Sequence, residues 1–269
     1  MKQVNILSIC VVVLFCGCGT QPTRNSTIGS GPPSSPPSHA IGGNWQFSAT
    51  SSVSSELPAA ALTGSINQSG TSLIGTLHLD GWGCFDPRTA IGLSGAVTNG
   101  ALSLTSVSID GQVMTFDGRI TEKIGFPDTF TGTYTVTGGC ASGDRGSATG
   151  FSVASMTGNW AGNLTSNGGE SIHWDTTLTQ EGASSDGSFG LGGIVHFDNC
   201  FATGTITPGT LPDASFILGT SVVLEIKTDA AVIDFVGKAD PDGLIRGSYT
   251  ANAGSCELSG TGYLSPWEY

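Results

Sequence analysis

The chain has 269 residues, 9 Lys+Arg against 21 Asp+Glu, a formal net charge of −12 and 41 glycines. That acidity argues against nucleic acid and against an anionic membrane surface as partners, because both select for basic patches. Only 11% of the residues are charged, and the rest is rich in Gly, Ser, Thr and short apolar runs, the composition of an exported all-β protein.

The chain opens MKQVNILSICVVVLFCGC. Lys2 precedes an apolar core from Ile6 to Phe15. That length suits a signal-peptide core and is too short to span a bilayer, and no later stretch reaches the roughly 18 apolar residues of a spanning helix. The segment Leu14-Phe15-Cys16-Gly17-Cys18 resembles the lipobox of bacterial lipoproteins. The resemblance implies cleavage before Cys18 and acyl chains on that cysteine, hence a lipid-anchored protein of the bacterial cell envelope, periplasmic or surface-exposed. Each buried CH₂ contributes about 0.8 kcal/mol to anchoring, so several chains hold where one does not. Residues 19–40 then run GTQPTRNSTIGSGPPSSPPSHA, which lacks the apolar residues to build a core and reads as a tether. His39 within it is expected to be solvated.

Two halves follow. Gly43-Asn44-Trp45 recurs as Gly158-Asn159-Trp160, and Leu77-His78-Leu79-Asp80 as Val195-His196-Phe197-Asp198. Trp45 and Cys84 are 39 residues apart, Trp160 and Cys200 are 40 apart, and the next cysteine follows after 56 residues in both halves, at Cys140 and Cys256. The expected organisation is 1–17 signal peptide, 18–40 lipidated cysteine and tether, 41–155 first repeat and 156–269 second repeat, each repeat a natural domain size. With Cys10 and Cys16 removed and Cys18 lipidated, four cysteines remain in an oxidising compartment. Three pairings are open to them. The duplication favours Cys84–Cys140 and Cys200–Cys256, while a metal site lacks both a CxxC and a histidine pair.

Alternation with period two marks strands throughout. It is clearest at Thr129-Phe130-Thr131-Gly132-Thr133-Tyr134-Thr135-Val136-Thr137, where every odd position is Thr. The first half predicts eight strands near 44–52, 60–68, 72–80, 89–98, 101–110, 112–122, 129–138 and 145–153. The second predicts eight near 159–166, 171–181, 188–197, 201–207, 214–228, 231–239, 244–252 and 257–264. Val107 and Ile109 fall out of phase with Leu102 and Leu104, which predicts a bulge near Thr105-Ser106. Asn99-Gly100, Asp110-Gly111 and Asp186-Gly187 are turn signals. The expected fold is all-β, two tandem eight-stranded antiparallel meander barrels, with flattened barrels or two-sheet sandwiches as the rivals.

Gly-x-Trp on the first strand of such a meander is similar to the lipocalin and avidin-like (calycin) barrels. The resemblance implies that Trp45 and Trp160 plug barrel ends, that an Arg from the last strand covers the Trp, a place Arg145 fills in the first half, and that a small apolar ligand is carried inside. Cys84 and Cys140 fall in loops at one end but on opposite walls. A disulfide needs Cα atoms roughly 4.4–6.8 Å apart, so either the barrel is flattened or the loops fold over its mouth.

No catalytic, cofactor-binding or metal motif is present. His78 with Asp80, His196 with Asp198, and His173 with Asp175 are expected on solvated strand faces. Asp240-Pro241-Asp242-Gly243 reads as a hairpin turn rather than a calcium loop. Trp82 is expected either as an exposed contact or as a cover for its disulfide, and Trp267 either as an exposed contact or as closing the last strand. The sequence thus points to a non-enzymatic binding module anchored to a membrane through lipid, with a protein, glycan or small apolar ligand as partner. A lipocalin-like carrier and an enzyme acting on envelope polysaccharide are the alternatives.

Overall fold

The computed structural model describes residues 40–53, 60–87, 89–122, 125–198, 201–211, 214–241, 243–252 and 259–267. Cys18, His39, Cys200, Asp242 and Cys256 lie outside them, so the lipidation site and the second expected disulfide do too. The first half forms β1 (Gly43–Ser51), β2 (Ala60–Ser69), β3 (Ser72–Asp80), β4 (Ala90–Thr98), β5 (Ala101–Ser106), β6 (Val113–Thr121), β7 (Thr129–Thr137) and β8 (Arg145–Val153). Each strand pairs antiparallel with the next, and β8 pairs back onto β1, closing a barrel.

The second half forms β9 (Gly158–Ser166), β10 (Ser171–Ala183), β11 (Phe189–Phe197), β12 (Thr203–Ile206), β13 (Phe216–Leu218), β14 (Ser221–Thr228), β15 (Val232–Ala239), β16 (Ile245–Ala251) and β17 (Ser259–Pro266). It also closes, with β9 between β10 and β17 and β10 paired to β11. Nine segments fill eight wall positions, because β12 and β13 both lie between β11 and β14. The chain is therefore two closed eight-stranded antiparallel barrels in tandem.

One expected strand is corrected. Residues 214–228 do not run straight. They turn at Gly219-Thr220, where Leu218 pairs with Ser221, because Gly219 sits at φ +54, a conformation glycine adopts without a Cβ clash. Between Ile206 and Phe216 the paired position moves only from Gly193 to Gly190 on β11, and from Ile226 to Val223 on β14. Within the stretch between them, Pro208 bridges Ser215. The buried Ser215 is held to β14, its hydroxyl accepting from Glu225 N at 2.9 Å.

The expected bulge in β5 is present. Thr105 pairs with Thr115 but Ile109 bridges Gln112, so β5 gains one residue on β6 over this stretch. Val107 consequently points out and Ile109 returns to the core. Ser106 turns its hydroxyl inward to accept from Met114 N at 2.9 Å, in place of a ladder bond.

Each barrel has one core, filled from the inward positions of all its strands. In the first, Phe47 contacts Trp45, Phe130 and Phe116 at centroid distances of 5.3, 5.7 and 6.2 Å. In the second, Trp174 stacks on Phe197 at 5.8 Å and packs against Phe235 at 5.5 Å. Buried apolar side chains from all around the wall meet inside each barrel.

Candidate functional site

In each barrel the near end is the one where its first strand begins, and the far end lies opposite. Both Gly-Asn-Trp motifs are built alike at the near end. Gly43 and Gly158 take φ +136 and +144, a region that disfavours a Cβ, and this swings the next residues into the wall. Trp45 is fully buried and donates its indole N–H to the Ile41 carbonyl at 2.8 Å. Trp160 is 7% exposed and donates to the Met156 carbonyl, also at 2.8 Å. Each indole thus satisfies its donor on the strand's own leader four residues back, and no arginine is needed. Arg145 is exposed at the far end of β8, while Trp45 lies level with Ser152 at the near end. The arginine cover is corrected on that ground.

The far end of the first barrel is closed by loops that fold over it. Cys84 and Cys140 form a disulfide with Cα atoms 6.0 Å apart. Trp82 and Phe85 are buried beside it, Trp82 packing on Tyr134 at 5.1 Å. Gln112 ties the two loops together, donating to the Cys84 carbonyl at 3.2 Å and accepting from Ala141 N at 2.9 Å. Beneath them Tyr134 donates to Asp144 at 3.1 Å, and Ser51 reaches the same carboxylate at 2.6 Å. Burial pushes the Tyr134 phenol up to about 12, with the Asp144 carboxylate acting in the same direction.

The two barrels meet through residues that the repeats do not share. The outward-facing Asn44 is 2% exposed because the hairpin at Gly219 covers it. Its carboxamide donates to the Gly219 carbonyl and accepts from the Gly219 N–H, both at 2.8 Å. A Cβ on Gly219 would lie 2.7 Å from Gln46 Oε1 and from Thr63 Cγ2, so the contact requires glycine. Gly187 makes a second close approach, where a Cβ would lie 2.4 Å from the Thr76 carbonyl oxygen. Beside it His78 places Nε2 2.8 Å from the Asp186 carbonyl and Nδ1 3.2 Å from the Pro87 carbonyl. His78 is thus half-buried between the barrels, which corrects its expected solvated face. Burial opposes ionisation of the Asp186 carboxyl. Bonds from Ser184 and Ser188, with the His78 charge, outweigh that and hold it below its ordinary range. The counterpart His196 is exposed, its Nδ1 3.0 Å from Thr203 Oγ1, and His173 is exposed as well.

A concave surface lies at this junction, a groove of about 560 Å³. The loop carrying Phe126 and Pro127 and the linker around Phe151 and Met156 form one wall; Trp160, Pro241 and Pro266 form the other. Phe126 is 61% exposed, and Trp267 just beyond β17 is 48% exposed. Asp240 at the rim is ion-paired with Arg246, and the backbone closes this segment as a hairpin from Asp240 to Leu244. Among the described residues no three His, Cys, Asp or Glu side chains cluster as metal ligands.

No protein-family model matches the chain, and no curated protein matches it. Among solved structures it is similar to a protein of unknown function from the DUF3598 family of Nostoc punctiforme. That likeness has 12% identity and a TM-score of 0.25, covering 82% of this chain and 94% of the other.

The recurrence of Gly-Asn-Trp and the cysteine spacing signal the plugs and the first disulfide in the sequence. The groove and the Asn44 clasp have no such signal. Asn44 and Asn159 are the same residue in the same motif, and only docking makes one of them an interface group.

Proposed function

We propose that the chain is a non-enzymatic binding module of the bacterial envelope, held to a membrane through lipid on Cys18 and presenting the inter-barrel groove to a protein partner. The observation that carries this reading is the placement of Phe126, Pro241 and Pro266 on the outside, at the groove, beside the plug Trp160. Aromatic side chains give large contact area at small entropic cost and dominate binding energy where they enter a partner's pocket. The interleaved Phe126, Pro127, Trp160, Pro241 and Pro266 form a surface of that kind. The fixed clasp at Gly219 favours a preformed groove, which lowers the ordering cost of binding.

The test uses intact cells displaying the chain, crosslinked and purified through it, in parallel with Phe126→Ser. A protein captured by the parent chain and lost with Phe126→Ser supports the reading. Equal capture by both chains rejects the groove. Native mass spectrometry of the exported chain separates the carrier reading, which requires retained small-molecule mass that disappears on denaturation.

A further inference from the structure

Toward the far end of the first barrel, β1, β7 and β8 enclose an open depression of about 460 Å³. The exposed side chains that line it are five hydroxyls and one cation: Thr50, Ser52, Thr133, Thr135, Ser147 and Arg145. Ser51 and Tyr134 also line it and are already bonded to the buried Asp144 carboxylate. The main chain of Arg145 is held on both sides. Its N–H donates to Asp144 at 2.9 Å, and its carbonyl accepts from Ser52 N and Ser52 Oγ, both at 2.9 Å. The guanidinium makes no ion pair among the described residues, in a chain with 21 Asp+Glu. A fixed backbone thus carries a free cation into a ring of hydroxyls.

The duplication supplies an internal comparison. Gly146 lies opposite Ser51 and Tyr134 in the first barrel as Gly260 lies opposite Ser166 and Tyr249 in the second. That register sets Thr165 in the place of Thr50, Ser248 and Thr250 in the places of Thr133 and Thr135, and Thr261 in the place of Ser147. The hydroxyls are kept throughout. The cation is not, because Ser259 stands where Arg145 stands, and its hydroxyl is taken by Asn167 Nδ2 at 2.8 Å. A strand face of Ser and Thr is therefore common to both barrels, and Arg145 is what distinguishes the first.

We propose that this depression binds a carboxylated sugar, a hexuronate unit. The planar guanidinium of Arg145 matches a carboxylate with two parallel N–H···O bonds. Each surrounding hydroxyl both donates and accepts, which suits the ring hydroxyls of a sugar. A peptide fits less well. β1, β7 and β8 are each paired on both sides, so no main-chain edge is open to an added strand, and none of the exposed lining side chains is a large apolar one. The orientation follows from charge. Asp117 lies opposite Thr133 on β6, so the ligand's carboxylate sits at Arg145 and its hydroxyls turn toward Thr133. The site is separate from the inter-barrel groove, whose lining shares no residue with it.

Amide NMR of the exported full chain carrying Cys18→Ser tests it, with sodium glucuronate titrated at constant ionic strength. The Thr133, Thr135 and Ser147 amides should shift and saturate, while Ser248, Thr250 and Thr261 stay in place. Glucose, sodium acetate and a glucose sulfate ester are the comparison ligands, and each should bind at least about tenfold more weakly. Arg145→Ser installs the residue of the second barrel and should weaken glucuronate about tenfold. The Arg145 bond to Asp144 comes from the main chain, so the fold persists, read as unchanged amide shifts away from the site. Absence of saturable shifts at the three amides overturns the proposal. Acetate binding as tightly as glucuronate means an adventitious ion only, and glucose doing so removes the role of the carboxylate; either overturns it. Tighter binding of the sulfate ester, or equal glucuronate binding by Arg145→Ser, overturns it as well.

Discussion

Asn44→Ala should uncouple the barrels, and Asn159→Ala should not. The Asn44 carboxamide satisfies both backbone groups of Gly219 at 2.8 Å in a site that is 2% exposed. Alanine leaves a buried N–H and a buried carbonyl without partners, each costing about 1–3 kcal/mol, less what hydration returns as the contact loosens. The expected loss is about 2–3 kcal/mol of inter-barrel coupling. With a urea slope of about 2 kcal/mol/M for a domain of this size, the barrel that unfolds first should lose about 1–1.5 M in its midpoint. Tryptophan fluorescence follows both barrels, since Trp45 and Trp82 report the first and Trp160 and Trp174 the second. Asn159 is exposed and its side chain accepts a bond from Thr177 at 2.8 Å, so its truncation should move the midpoint by under about 0.3 M. Equal shifts for the two variants, or none for Asn44→Ala, would refute the argument that docking rather than the motif itself gives Asn44 its value.

Three further outcomes follow from the same geometry. Replacing Cys84 and Cys140 by Ser opens a loop with a sequence separation of 56 and should cost about 4 kcal/mol on the chain-entropy account, read as a lower denaturation midpoint that matches the reduced parent chain. Tyr134 should ionise at about pH 12 by ultraviolet absorbance. Its folded value lies above the unfolded 10.0, so the stability linked to it is complete below pH 10 and drains away between 10 and 12. Asp186 shifts the other way. Its contribution is present above 3.8 and is lost as pH falls through the lower folded value, so hydrogen exchange should show the 184–188 hairpin loosening from the first barrel in acid before either core opens, and Asp186→Asn should remove that dependence.

Period-two alternation, Gly-containing turns and the doubled cysteine spacing were enough to place nearly every strand, the tandem organisation and the Cys84–Cys140 bridge, because these depend on local backbone geometry and on chain distance. The bulge after Thr105 was legible for the same reason: a phase slip in the apolar pattern is a local event. What local pattern leaves open is any contact between segments with no shared period. The split of residues 214–228 into two strands turns on one glycine whose φ is set by the hairpin it makes with β14 and by its fit against Gln46 and Thr63. The closed far end depends on how two loops from opposite walls meet around Gln112. His78 and His196 share a motif, yet one bridges the barrels and the other faces solvent. Composition and alternation determined that this chain would build two tandem all-β units of eight strands each. Only tertiary docking decided which copy of each repeated residue became buried and where the groove beside Trp160 lies, because burial between domains arises from surfaces distant in sequence that no single strand encodes.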